Sequence, residues 1–131
     1  IVGGGLTGTE MAYDLILKGK QVAIVEALND LVCTPHVCLA NTSFLREMMA
    51  YKNVDVHLET KVKEIGKDYV LVTNKDGSES KIMCDTTIIS IGYTPTPIAE
   101  PSKHVHIVGD ALKVGNLRTV IWRAWDVAMK I

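Results

Sequence analysis

No run of apolar residues in this chain approaches the roughly 18 to 20 needed to cross a bilayer as a helix, so no membrane-spanning segment and no membrane partner is expected. Neither sign of charge is in surplus. Fourteen Lys and Arg stand against 15 Asp and Glu, a formal net charge of -1, which leaves no basic footprint for nucleic acid or an anionic membrane surface. Cysteine is sparse and odd in number, with three residues. That is no disulfide framework, and it points to a reducing, cytoplasmic compartment. No signal-peptide pattern, internal repeat, low-complexity tract or long linker is present. There is no initiator Met, and only Ile1 and Val2 precede the first glycines. A typical strand runs about five or six residues. The expectation is therefore a piece of a longer protein whose first strand is clipped.

What is present begins with Ile1-Val2-Gly3-Gly4-Gly5-Leu6-Thr7-Gly8-Thr9-Glu10. Gly3, Gly5 and Gly8 stand at GxGxxG spacing. In that pattern the first glycine permits a tight turn, the second lets backbone approach a pyrophosphate, and the third allows close helix–strand packing. The segment from Thr7 to Lys18 reads as a helix, with Leu6, Met11, Leu15 and Ile16 near helical spacing and Gly19 as its stop. The N-terminus of that helix would offer free N–H groups and partial positive charge to phosphates. Gln21 to Glu26 reads as a buried parallel strand. Glu26 closes it, 18 residues after Gly8, where a carboxylate accepts hydrogen bonds from the adenosine-ribose hydroxyls. It would also repel the extra phosphate of NADP. Ala27-Leu28-Asn29-Asp30 supplies no Arg or Lys to attract that phosphate, so NAD(H) is the expected ligand. Glu10, placed in the first turn of the helix, either supports the helix N-terminus electrostatically or reaches a ribose or nicotinamide.

After an irregular stretch from Ala27 to Leu39, Asn41 to Tyr51 reads as a second helix with Leu45, Met48 and Met49 inward. A strand follows at Val54 to Leu58. Three short segments come next, Lys61 to Ile65, Tyr69 to Thr73 and Ser80 to Met83, with a hairpin signal at Lys75-Asp76-Gly77. This crossover is a β-meander instead of a helix. Thr86 to Ile91 returns to the central sheet. The loop Gly92-Tyr93-Thr94-Pro95-Thr96-Pro97 excludes regular structure. Val105 to Val108 reads as one more strand, ending at Gly109-Asp110. Leu117 to Ile131 reads as a last helix, whose buried side would be Leu117, Val120, Ile121, Ala124, Ala128 and Ile131. The fold class is α/β: a Rossmann-like parallel sheet flanked by helices, with a three-stranded antiparallel meander as one crossover.

Other chemistry-bearing residues read more plainly. Cys33 and Cys38 form a C-x4-C pair around His36, a spacing open to a redox disulfide or part of a metal site. A zinc site needs four ligands, and two unrelated loop thiols is the preferred reading. Cys84 reads as a buried thiol. His104 and His106 would share one side of a strand as surface or packing residues, since two His lack a third ligand. Trp122 and Trp125 read as packing residues. No Ser-His-Asp set and no paired-carboxylate site is apparent, so no catalytic side chain and no metal ligand is assigned. Hydride transfer needs none, because orienting two cofactors is its main requirement.

On these residues the chain resembles the NADH domain of the two-dinucleotide flavoprotein reductases, the pyridine nucleotide–disulfide oxidoreductase superfamily. The matching points are Gly3 to Glu10, the meander crossover, and Thr87-Ile88-Ile89-Ser90-Ile91-Gly92-Tyr93-Thr94-Pro95. That last segment resembles the strand and loop linking the NAD domain back to the FAD domain. Val105-His106-Ile107-Val108-Gly109-Asp110 resembles the second FAD motif, which implies that Asp110 binds the ribityl or phosphate region of FAD. The start of the last helix, Leu117 to Val120, would face the flavin. The likeness implies an NAD(H)-binding domain over 1–100 and the start of a second FAD-binding segment over 101–131.

Within the superfamily the chain is most similar to the C-terminal part of enoate-reductase-type NADH:flavin oxidoreductases, including 2,4-dienoyl-CoA reductases and bile-acid-inducible reductases. The likeness implies a parent whose N-terminal barrel holds FMN and a 4Fe-4S cluster, fed with electrons by the FAD/NADH part. Barrel and first FAD segment are absent from this sequence, so the chain alone is expected to bind FAD poorly and to be inactive. Cys33 and Cys38 do not sit where the family's active disulfide sits. The resemblance places the pyrophosphate on Gly3, Gly4, Gly5, Leu6, Thr7 and Gly8, and the nicotinamide end near Glu10 and Gly92. Its partners would be NADH and the FAD domain of the same parent chain. Two other readings stay open: an FAD-binding module in which the glycine turn serves FAD, and a non-catalytic interaction domain on an inherited fold.

Overall fold

A computed structural model describes residues 1–34 and 37–131. Pro35 and His36 lie outside the described residues, so the suggested Cys33–His36–Cys38 grouping is not addressed at its centre. The chain divides into two compact units, Ile1–Gly92 and Tyr93–Ile131.

The first unit is built on parallel pairing. Strand β1 (Ala23–Val25) pairs in parallel with β2 (Asp55–His57). Val2 bridges Val25 on one side and Ile89 on the other, both in parallel. The short first strand is thus hydrogen-bonded on both flanks. Gly3 N–H donates to Val25 O at 2.8 Å and Ser90 N–H to Val2 O at 2.7 Å. The resulting order, Ile89–Val2–β1–β2, places the N-terminal glycines at the end of a central strand.

Alternation along β1 divides the core. Side chains point to opposite faces of a strand at successive residues. Ile24 goes to one face, where Ala12, Leu31, Val32, Leu45 and Met49 pack around it from helix α1 (Leu6–Leu17), helix α2 (Leu39–Tyr51) and the loop between β1 and α2. Val25 goes to the other face and packs against Val70 and Val72. These belong to β4 (Tyr69–Thr73), the central strand of the antiparallel meander β3 (Lys61–Ile65), β4, β5 (Glu79–Met83). The expected α/β class with a meander crossover is what the chain forms. At the β4–β5 hairpin, Gly77 takes φ +83°, and Asn74 N–H donates to Ser78 O at 2.8 Å.

Some inward assignments shift. Met11 is exposed, and Thr9 and Ala12 take the buried side of α1. Small residues there let the helix lie close to the glycine turn. Cys84 is half-buried instead of buried, with its sulfur 3.5 Å from Thr87 Oγ1.

The second unit contains a 3-10 turn, Gly109–Ala111, and helix α3 (Leu117–Ala128). The expected strand at Val105 to Val108 does not form. Val105 instead turns back on Ser102 in an isolated antiparallel bridge, and an extended segment needs a neighbouring strand to satisfy its backbone. His104 and His106 are both exposed and do not share a strand face. In α3 the half-buried residues are Thr119, Val120, Arg123 and Val127, not the broader stripe expected. Leu117, Ile121, Ala124, Ala128 and Ile131 are exposed, and so are Trp122 and Trp125, at 57% each. The Arg123 guanidinium donates to the carbonyls of Gly109 and Lys113, which turns the Val120–Arg123–Val127 side toward the preceding loop. No described element of this unit covers the opposite side.

Candidate functional site: the glycine turn and the loop that clamps it

The three motif glycines have three different surroundings. Gly3 adopts φ +101°, and a β-carbon there would lie 2.2 Å from Ser90 O. A β-carbon on Gly8 would lie 2.0 Å from Gly3 O. Both positions are closed by backbone, and Gly3 is also in the conformation that L side chains rarely adopt. Gly5 is the opposite case, with nothing within 4 Å of a β-carbon. It is also the N-cap of α1 and provides no side-chain cap. The turn therefore packs inward through Gly3 and Gly8 and presents open space at Gly5, beside a helix N-terminus whose first N–H groups have no capping side chain. Leu6 and Thr7 form the start of that helix, with Thr7 exposed.

Glu26 sits at the turn. Its Oε2 accepts from Gly4 N–H at 2.6 Å and its Oε1 from Leu28 N–H at 2.8 Å. The carboxylate is thereby fixed at the end of β1, directly beside the second glycine of the run. Glu10 lies elsewhere. The helix begins at Leu6, so Glu10 is its fifth residue, exposed and past the first turn, which carries no acidic residue. The expected support of the helix N-terminus from within that turn is not seen. Gly92, with φ +93° and open space around it, ends the first unit. In the second unit, Asp110 is exposed in the 3-10 turn, and its Oδ1 accepts from Gly115 N–H at 3.1 Å. The structure thus gathers Gly3, Gly4, Gly5, Leu6, Thr7, Gly8 and Glu26 at one turn.

Several residues at this turn escaped the sequence reading. Thr9 is fully buried, and its hydroxyl donates to Gly4 O at 3.1 Å. Val32 N–H donates to the same carbonyl at 2.7 Å. Val32 is buried and holds φ +52°, a conformation uncommon for a β-branched residue. Arg46 braces that loop from α2, with Nε donating to Leu31 O at 2.8 Å and pairing with Asp30 at 2.9 Å. A signal existed for Arg46: it stands four residues after Thr42 and three before Met49, on the stripe that faces inward. The left-handed Val32 had no such signal.

Beyond Glu26 the ends of the parallel strands stay in register. Thr60 N–H donates to Glu26 O at 2.9 Å and Glu59 N–H to Leu28 O at 2.8 Å. Val56, His57, Leu58, Thr60, Asn74, Lys75 and Asp76 line an open hollow of about 690 Å³ at this end. Cys33, Cys38 and Cys84 are free thiols. Among the described residues no group of His, Cys, Asp and Glu is arranged to hold a metal ion, and no helix is long and apolar enough to cross a membrane.

Residues 1–117 match the family described as pyridine nucleotide-disulphide oxidoreductase. The whole chain aligns with 20% of a cinnamate reductase of Clostridium sporogenes at 35% identity, and with 21% of an NADH oxidase of Thermoanaerobacter brockii at 27% identity. Among solved structures, a 2-naphthoyl-CoA reductase superposes on 99% of this chain with a TM-score of 0.81 at 23% identity, over 20% of its own length. The chain thus spans about a fifth of each of these relatives. It belongs to the pyridine nucleotide-disulphide oxidoreductase family.

Proposed function

We propose that this chain is the NADH-binding part of a longer flavin-dependent oxidoreductase and holds NADH for hydride transfer to FAD. The observation that carries the reading is the division of labour in the glycine turn. Gly3 and Gly8 are closed by backbone, whereas Gly5 faces open space at an uncapped helix N-terminus. That is the chemistry of a pyrophosphate cradle: backbone donors, partial positive charge and no side chain in the way. Gly3 to Gly8 would hold the pyrophosphate and Glu26 the adenosine ribose. Glu10 and Gly92 would lie toward the nicotinamide. The cofactor, when bound, supplies the hydride; this chain's residues bind and orient it. NADH would be favoured over NADPH because Glu26, held at the glycine turn, would meet the ribose, and residues 27–30 bring no cation.

In this reading residues 1–100 form the NAD(H) domain, and 101–131 begin a second FAD-binding segment to which Asp110 belongs. The exposed apolar side of α3 supports a partner of that kind, the FAD domain of the same longer chain. The identity shared with a cinnamate reductase supports a parent of enoate-reductase type, with FMN and a 4Fe-4S cluster in a separate barrel. A cytoplasmic setting is supported by the odd count of three cysteines, which makes no disulfide framework. The chain alone would lack activity.

Purification separates this reading from that of an FAD-binding module. A colourless chain whose protein fluorescence changes saturably on adding NADH supports the proposal. A chain that retains yellow flavin and does not respond to NADH sinks it.

A further inference from the structure

The loop after β1 is pinned to one glycine at both ends. At its start Glu26 accepts from Gly4 N–H at 2.6 Å, and at its finish Val32 N–H donates to Gly4 O at 2.7 Å. Asp30 and Leu31 lie between these anchors. Arg46 is drawn into the same loop, with Nε 2.9 Å from Asp30 Oδ2 and 2.8 Å from Leu31 O, and a second nitrogen 3.4 Å from Val32 O. The Asp30 carboxylate is itself held, since Oδ1 accepts from Leu31 N–H at 2.8 Å. The guanidinium therefore stands within a residue or two of atoms bonded to the turn, and Asp30 and Arg46 both remain partly open to solvent.

A guanidinium recognises carboxylate and phosphate with the same planar fork of donors. In dinucleotide sites a nearby Arg accommodates the 2′-phosphate that distinguishes NADP from NAD. Here a guanidinium is hydrogen-bonded into the loop that follows Glu26, and its charge is already matched by Asp30. We propose that Asp30 is a specificity-determining residue: by engaging Arg46 it withholds that guanidinium from a 2′-phosphate and so reinforces the choice of NADH. The inference rests on the reading of the glycine turn as the NADH site. Glu26, Asp30 and Arg46 together leave a net negative loop, unfavourable to an added phosphate dianion. Removing the Asp30 charge makes the three groups less anionic and leaves the Arg46 charge unmatched, while its bonds to Leu31 O and Val32 O remain.

The test is titration of the full chain with NADH and NADPH for wild type, Asp30→Asn, Asp30→Glu and the double variant Asp30→Asn/Arg46→Gln, each shown to fold by thermal unfolding. Asp30→Ser replaces Asp30→Asn if the latter does not fold. Asp30→Asn is expected to tighten NADPH binding about tenfold, a change of about 1.4 kcal/mol, with NADH affinity within about twofold of wild type. Asp30→Glu keeps the wild-type preference. The double variant loses the gain, which mere loosening of the loop would not produce. An unchanged NADPH-to-NADH ratio in Asp30→Asn, with wild type binding NADH, overturns this inference and leaves the NADH site standing. A gain that survives in the double variant overturns the role of Arg46. Absence of NADH binding by folded wild type overturns the NADH site and this inference with it.

Discussion

The carbonyl oxygen of Gly3 stands 2.0 Å from where a β-carbon on Gly8 would be. This one contact fixes how closely α1 approaches the first strand, and so where its N-terminal N–H groups point. Gly8→Ala must push strand and helix apart. It is expected to destabilise the first unit by more than about 2 kcal/mol, at the upper part of the range for overpacking. Gly5→Ala meets no protein atom, and its φ of -68° suits alanine. Its stability should fall by no more than about 1 kcal/mol, while NADH affinity falls roughly tenfold or more, because the methyl occupies the space proposed for pyrophosphate. Denaturant unfolding and NADH titration on the two variants check both halves.

Glu26 has a structural and a proposed recognition role, and they separate experimentally. Glu26→Ala leaves Gly4 N–H and Leu28 N–H without their acceptor, an expected loss of about 1–3 kcal/mol. Glu26→Gln keeps an amide oxygen for one of them and should recover part of the stability. The double variant Glu26→Ala/Ala27→Arg removes the carboxylate and adds a cation, so the preference should move toward NADPH. Unaltered NADH selectivity in that variant, measured as the ratio of affinities, counts against the ribose role.

Arg46 braces a loop that contains a left-handed, buried valine. Such a conformation persists only when its surroundings over-determine it. Arg46→Ala should destabilise the first unit by about 1–3 kcal/mol through the two carbonyls it leaves behind. It should also raise amide exchange at Leu31 and Val32 ahead of the helices. Exchange that stays uniform across the unit would show that the brace is dispensable.

The parallel pairing, the first two helices and the meander were legible in the sequence because each covers part of its apolar pattern within this chain. Ile24 and Val25 point to opposite layers, and Leu45 and Met49 follow a helical stripe. The α3 pattern was equally regular, yet its predicted inner residues Leu117 and Ile121 are exposed. Periodicity reports that a helix has an apolar face, not which element covers it. The strand expected at Val105 failed for the same kind of reason, since a strand is defined by its partner. At the turn, glycine spacing and Glu26 were readable as local signals. The Thr9, Val32 and Arg46 bonds to the turn and its loop were not, because they depend on where the second helix and the loop meet.

Helix α3 depends on its own cap. Asn116 accepts from Thr119 N–H at 3.1 Å, and Thr119 Oγ1 accepts from Asn116 N–H at 2.9 Å. With no fully buried residue in the helix, local terms weigh heavily. Asn116→Ala should cost about 1 kcal/mol, seen as reduced helical ellipticity and faster exchange in the first turn of α3.

The most direct measurement is calorimetric titration of the folded chain with NADH, NADPH and FAD in turn. The account predicts saturable binding of NADH, weaker binding of NADPH, and little or no binding of FAD. Binding of none of the three by a folded chain, or of FAD in preference to NADH, would contradict it.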